Sequence, residues 1–202
     1  MKHGREKVTN LTDKSEVDNL RESNPDIKES LEIGRDDEEP YPNLFPPPSK
    51  LPNFQPIMLS FFSTLKTLHT TVMSAIALGM SLPESFFDSF CDVGDNTLRL
   101  LHYPKTDAQV FKKKEGTVRA GAHTDYGSIT LLFQDMSGGL QIKSPNGKFV
   151  DATPIEGTIV VNAGDLLARW SNDIIKSTEH RVVEPPTEPG KDGFYPARYS
   201  IA

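Results

Sequence analysis

Residues 121–135 read Gly-Ala-His-Thr-Asp-Tyr-Gly-Ser-Ile-Thr-Leu-Leu-Phe-Gln-Asp, and two signals meet in them. The second half is strand-like: over 128–134, Ile129, Leu131 and Phe133 fall on one face of an extended chain. The first half sets His123 and Asp125 two positions apart, so an extended backbone turns an imidazole and a carboxylate toward one point. A β segment opening on a pair of polar, metal-competent side chains is the pattern around which the rest of the chain is read.

Working outward, 97–103, 140–143, 158–162 and 180–183 are also short, β-rich and bounded by turn residues. Ser144-Pro-Asn-Gly147 predicts a hairpin turn, because Asn-Gly accepts the positive φ that tight hairpins require. Short strands at this spacing predict a sandwich or barrel from about residue 94 onward. Upstream the period changes to that of a helix. Ile57, Phe61, Leu65, Leu68, Val72 and Ile76 are spaced by three and four, opposite Ser63, Thr67, Thr70 and Ser74. Gly79 and Pro83 end that helix, and a short one is expected over 84–90, with Phe86, Phe87 and Phe90 as core. Residues 40–56 hold 7 of the 16 prolines and predict an extended connection. Residues 1–40 are polar and must lie on the main domain or stay unordered. The expected organisation is therefore a leader and connection (1–56), a helical support (57–93) and a β domain (94–202).

The chain's 202 residues, 36% hydrophobic and 25% charged, with a mean hydropathy of −0.43, suit a soluble globular protein. Residues 1–40 carry 7 Lys/Arg against 12 Asp/Glu, most of the net charge of −6, and no basic face argues for nucleic acid. One cysteine, Cys91, a charged N-terminus and no long apolar run predict a cytoplasmic location without membrane insertion.

His123 and Asp125 need one further imidazole to make a metal site, and His180, opening another predicted strand, is the best third ligand. Two histidines and a carboxylate on one side of an octahedral ion leave positions open, the arrangement associated with non-haem Fe(II). His3 and His69 are assigned to solvent or structure, and His102 faces opposite to its neighbour Tyr103. Leu100, Leu101, Ile129 and Leu131 are candidates for pocket lining. Lys112 to Lys114 read as a solvated loop, Gly164-Asp165 as a turn and Trp170 as packing.

The stretch 121–135, followed by Gly138-Gly-Leu-Gln141, Val161-Asn-Ala-Gly-Asp165, Ser177-Thr-Glu-His-Arg-Val182 and Arg198-Tyr-Ser200, resembles the isopenicillin N synthase-like family of Fe(II)/2-oxoglutarate-dependent dioxygenases in order and spacing. The insert from Glu184 to Gly193 looks like that of fungal members, many of them enzymes of secondary metabolism. The resemblance implies a double-stranded β-helix, or jelly roll, possibly incomplete, with helices packed outside it. It implies Fe(II) held by His123, Asp125 and His180, with no catalytic residue beyond these ligands. Arg198 and Ser200 would bind the distal carboxylate of the co-substrate 2-oxoglutarate, aided by Tyr103. Where plant relatives have an asparagine two positions before that tyrosine, this chain has Leu101. The implied reaction uses O2 to hydroxylate, desaturate or cyclise a small organic substrate, releasing succinate and CO2. Relatives of the family usually extend further at both ends, so the chain is expected to be truncated, without an upstream β-run. Two rival readings stay open: an iron oxidase of the same fold that does not use 2-oxoglutarate, and a non-catalytic truncated homologue. Neither the substrate nor the oligomeric state is legible.

Overall fold

The structure, a computed structural model, describes residues 26–36, 41–113 and 116–202. His3, the end of the acidic run, Pro40 and Lys114 lie outside the described residues. The described residues divide into two compact units, one within Leu31–Arg99 and the other formed by residues 26–30 together with those of Leu100–Ala202.

The first of these contains most of β1 (Glu29–Ile33), all of α1 (Phe54–Gly79) and α2 (Asp88–Cys91), and the start of β2 (Leu98–Tyr103). β1 corrects the expectation that no β-run precedes the helices: its Ile33 is fully buried although the segment as a whole is polar. α1 begins at Phe54, so Pro56 falls in its first turn, where a missing N–H breaks no helical bond. Its buried seam runs through His69, Met73 and Ala77, while Phe61, Leu65, Leu68, Val72 and Ile76 form a half-buried flank and Ile57 is exposed. The apolar stripe is wider than one helical row, and the adjacent row is the one that faces inward. Thr64, Thr67, Thr70 and Thr71 each donate a hydroxyl to the carbonyl four residues back, which lets exposed β-branched residues sit in the helix. The chain leaves α1 through Ser81, whose φ is +60°, and Gly79 needs no such conformation. Only Phe87 of the three expected core phenylalanines is buried; Phe86 and Phe90 are exposed and pack on it through their rings. The predicted helix over 84–90 is realised as successive turns before the single turn of α2.

The β unit adds β3 (Thr106–Asp107), α3 (Gln109–Lys113), β4 (Ala120–His123), β5 (Ile129–Gln134), β6 (Leu140–Lys143), β7 (Phe149–Asp151), β8 (Val160–Ala163), α4 (Asp165–Trp170), β9 (His180–Val182), β10 (Phe194–Tyr195) and β11 (Arg198–Ile201). Lys112 and Lys113 end α3, where a loop was expected. The larger sheet has the order β1-β2-β11-β5-β8, the smaller β4-β9-β6-β7, and β3 pairs with β10. Pairings within the β unit are antiparallel. Leu101 and Tyr103 of the larger sheet share a buried cluster with Ala120, Leu140 and Val182 of the smaller one, so two antiparallel sheets meet across one core. This is the mainly β jelly-roll architecture that the sequence led us to expect.

Strand alternation then fixes which side chains look inward. On β2 and β11, Arg198 is registered opposite Tyr103 and Ser200 opposite Leu101, all four buried, whereas Tyr199 stacks on His102 on the other face. On β5 the inward residues are Thr130, Leu132 and Gln134, because Leu132 packs on the core cluster and Gln134 reaches Arg198. Ile129 and Leu131 are buried on the opposite face and do not line the interior, and Leu100 shares the outward parity of His102. Both faces of β5 carry apolar side chains, so its sequence alone does not choose between them. No helix among the described residues is long and apolar enough to cross a membrane.

Candidate metal centre

His123 closes β4 and His180 opens β9, and the two are direct partners across that antiparallel pair. Each ring is oriented in the same way. His123 Nδ1 lies 2.8 Å from the carbonyl of Gly121 and His180 Nδ1 lies 3.1 Å from the carbonyl of Thr178. A carbonyl can only accept, so each Nδ1 carries the proton and donates it, and Nε2 is the ring nitrogen turned toward Asp125. Those Nε2 atoms lie 3.9 and 3.6 Å from Oδ1 of Asp125. One ligand atom from each of the three residues falls within 4.8 Å of the others.

Asp125 sits in the loop between β4 and β5, and two sets of bonds hold it. Thr130 Oγ1 and Asn162 Nδ2, partners across β5 and β8, both donate to Asp125 Oδ2 at 2.7 Å. With Oδ2 so engaged, Oδ1 is the oxygen presented to the histidines. The loop backbone is pinned to the start of α4: Gly164 N–H donates to Ser128, Asp165 N–H to Asp125 and Leu166 N–H to Gly127. These are amides at a helix start that need partners outside the helix. The approach is so close that a Cβ on Gly164 would lie 2.1 Å from the Gly127 carbonyl oxygen. Gly164-Asp165, read as a plain strand turn, is thus a helix start that clamps the Asp125 loop. Thr124 Oγ1 adds a 3.2 Å bond to Asp165.

The other edge of β4 is also covered. Gly121 N–H donates to Oδ1 of Asp26 at 2.8 Å and Ile27 N–H to the carbonyl of Arg119 at 3.0 Å, so residues expected to be leader brace the strand that carries His123.

Across the core, Arg198 is 1% exposed and its acceptors among the described residues are neutral: the Gly138 carbonyl, Ser200 Oγ and Gln134 Oε1, at 3.1 to 3.2 Å. Its Cζ lies 4.9 Å from the Tyr103 ring centre. Leu101 extends this wall as an apolar residue. A buried cation with no carboxylate among these partners is suited to an anionic ligand, and the planar fork matches a carboxylate.

All six residues singled out in the sequence therefore fall into two groups, His123, Asp125 and His180 in one and Tyr103, Arg198 and Ser200 in the other. His102 faces away and pairs with Glu29, and His69 is buried in α1. Thr130, Asn162 and Gln134 were missed, although an asparagine within the apolar run Thr158-Ile-Val-Val-Asn162 was a visible signal. The donor set itself, two imidazoles and one carboxylate oxygen with their second atoms already hydrogen-bonded, fits a first-row divalent ion such as Fe(II).

A sequence profile described as the 2OG-Fe(II) oxygenase superfamily matches residues 94–202. Among characterised proteins, the chain is 41% identical over 180 residues to the proline hydroxylase buaE of Petromyces alliaceus, covering 88% of this chain and 55% of that protein. Among solved structures, it is similar to a full-length Neurospora crassa protein crystallised in complex with α-ketoglutarate and thymine, with 63% identity, a TM-score of 0.86, and coverage of 98% of this chain and 59% of that one. The complex of the same Neurospora protein with α-ketoglutarate and 5-formyluracil gives 64% identity and a TM-score of 0.84, over 87% of this chain and 56% of that one. The chain thus spans somewhat more than half the length of the relatives it matches.

Proposed function

Because this chain belongs to the 2OG-Fe(II) oxygenase superfamily, we propose that it is an Fe(II)- and 2-oxoglutarate-dependent dioxygenase of a small organic substrate. The observation that carries the reading is the convergence of His123, Asp125 and His180 on one point, on the sheet facing the one that buries Arg198. His123 Nε2, His180 Nε2 and Asp125 Oδ1 hold the ion, and Arg198 with Ser200 and Tyr103 binds the distal carboxylate of 2-oxoglutarate (α-ketoglutarate). Bound Fe(II) would couple the oxidative decarboxylation of 2-oxoglutarate by O2 to oxidation of a substrate C–H bond, giving succinate and CO2. The chain's own part is to hold both imidazoles in one tautomer, fix which Asp125 oxygen faces the ion, and bury the carboxylate anchor away from water.

For the substrate we propose a pyrimidine base of the thymine kind, hydroxylated at its methyl group. The likeness to the Neurospora crassa protein, with thymine in one complex and in another 5-formyluracil, the same base with its methyl carbon oxidised, supports this choice. The proposed setting is the cytoplasm, with residues 94–202 as the catalytic domain and no nucleic-acid or membrane partner.

The test is an anaerobic titration of the folded chain with Fe(II) and then 2-oxoglutarate, following the visible absorption that appears when a 2-oxo acid chelates iron; O2 is then admitted with thymine and turnover is scored by succinate. The expected result is a band lost in Asp125→Ala and needing far more 2-oxoglutarate in Arg198→Ala. Iron binding without the band would replace the proposal by an oxidase that does not use 2-oxoglutarate; binding of neither would leave a non-catalytic homologue.

A further inference from the structure

Arg119, just before β4, is 0% exposed, and none of the site chemistry above uses it. Its Nη2 donates to the carbonyl of Pro196 at 3.0 Å, two residues ahead of Arg198. Its Nε and Nη1 are buried and have no hydrogen-bond acceptor among the described residues. Charged side chains are seldom fully buried unless paired, and unmet donors on such a group are costly.

The surroundings explain what is missing. Burial first, and then the nearby charge of Arg198, weaken Arg119's hold on its proton, with Asp135 as the one carboxylate opposing them. Asp135 is already engaged, accepting from the N–H groups of Tyr199 and Ser137. The carboxylate nearest in charge to Arg119 is thus committed to backbone amides, and Arg198's own hydrogen-bond partners are all neutral. Arg119 and Arg198 are therefore two buried guanidinium groups whose hydrogen-bond acceptors are all neutral.

We propose that Arg119 is a second cationic positioning residue of the co-substrate pocket, which together with Arg198 sets its preference for a 2-oxo acid bearing a distal carboxylate. This rests on the 2-oxoglutarate reading above. Arg119 acts through its charge and through the Pro196–Arg198 backbone it grips. A distal carboxylate offers an anion to both guanidinium groups, whereas a monocarboxylate 2-oxo acid of the same length offers none.

The test compares anaerobic binding of 2-oxoglutarate and 2-oxopentanoate to the Fe(II)-loaded full chain by calorimetry, in the parent, Arg119→Gln and Arg119→Lys. Glutamine can still donate to the Pro196 carbonyl but carries no charge; lysine keeps the charge. We expect Arg119→Gln to bind 2-oxoglutarate roughly tenfold more weakly while 2-oxopentanoate binding changes by less than about twofold, with Arg119→Lys restoring most of the preference. Equal losses for both acids, or a preference unchanged in Arg119→Gln, would overturn the proposal. If Arg119→Gln does not fold, Arg119→Lys decides alone: a retained preference supports the charge role and a lost one refutes it. A parent that binds neither acid would take down the co-substrate reading as well, whereas a binding parent matched by its variants would remove Arg119 only.

Discussion

Asn162→Ala removes one of the two donors that fix Oδ2 of Asp125, and the structure gives the size of the loss. The bond is 2.7 Å long and its acceptor is a carboxylate, a class of contact that contributes about 1.5–3 kcal/mol. The Asp125 side chain is 21% exposed, so water replaces part of what is removed, and the lower end of that range applies. About 1.4 kcal/mol is a factor of ten in affinity, and loss of a residue that orients a metal ligand commonly costs about 10–100-fold. The expectation is an Fe(II) affinity reduced by about one order of magnitude, with global stability lowered by no more than about 1 kcal/mol. Thr130→Val should act in the same direction. The double variant should lose less than the sum of the two, because a carboxylate released from either partner already turns. Anaerobic calorimetry with Fe(II) reads the affinity, and urea unfolding of the metal-free proteins reads the fold. If Asn162→Ala bound Fe(II) within twofold of the parent, the proposed orientation of Asp125 by β8 would be wrong.

Two further outcomes are expected. Gly164→Ala forces the 127–128 backbone away from the start of α4, at about 1–3 kcal/mol of stability, and should impair Fe(II) binding more than Asn162→Ala does; a variant with the parent's urea midpoint and iron affinity would contradict the close approach. Burial lowers the pKa of His69 below its ordinary 6.5, so the unfolded chain takes up a proton that the native one does not. Its contribution is complete above pH 6.5 and is lost as the pH falls through the interval between 6.5 and the lower native value, so the urea midpoint should drop on acidification, and less steeply in His69→Gln. An identical pH profile in the variant would count against it.

What the sequence made legible was whatever sits within a few positions along the chain. His123 and Asp125 show their shared direction because they are two residues apart, and Arg198 and Ser200 do so for the same reason. Asn162 stood out as a polar residue in an apolar run, but its joint grip on Asp125 with Thr130 was hidden because it exists only in the β5–β8 register, 32 residues apart in sequence. β1 was hidden by its polarity: of Glu29 to Ile33, only Ile33 is fully buried. The choice of face on β5 needed the position of Gln134 under Arg198, which no alternation pattern supplies when both faces carry apolar residues. Arg119 reads in sequence as one more charged residue near a lysine-rich stretch, and only its burial distinguishes it.

The strand order of the larger sheet bears on how the molecule is made. β11 is inserted between β2 and β5, although it follows both by many residues. During synthesis the ribosome releases β2 and β5 long before Arg198–Ile201, so for that interval two strands carry unpaired edges turned toward an empty slot. The late strand fills that slot and brings in Arg198, the proposed carboxylate anchor, in the same event. Acquisition of 2-oxoglutarate affinity should therefore coincide in time with closure of the sheet, and the nascent chain before that moment is the form most exposed to edge-to-edge association and most in need of a chaperone.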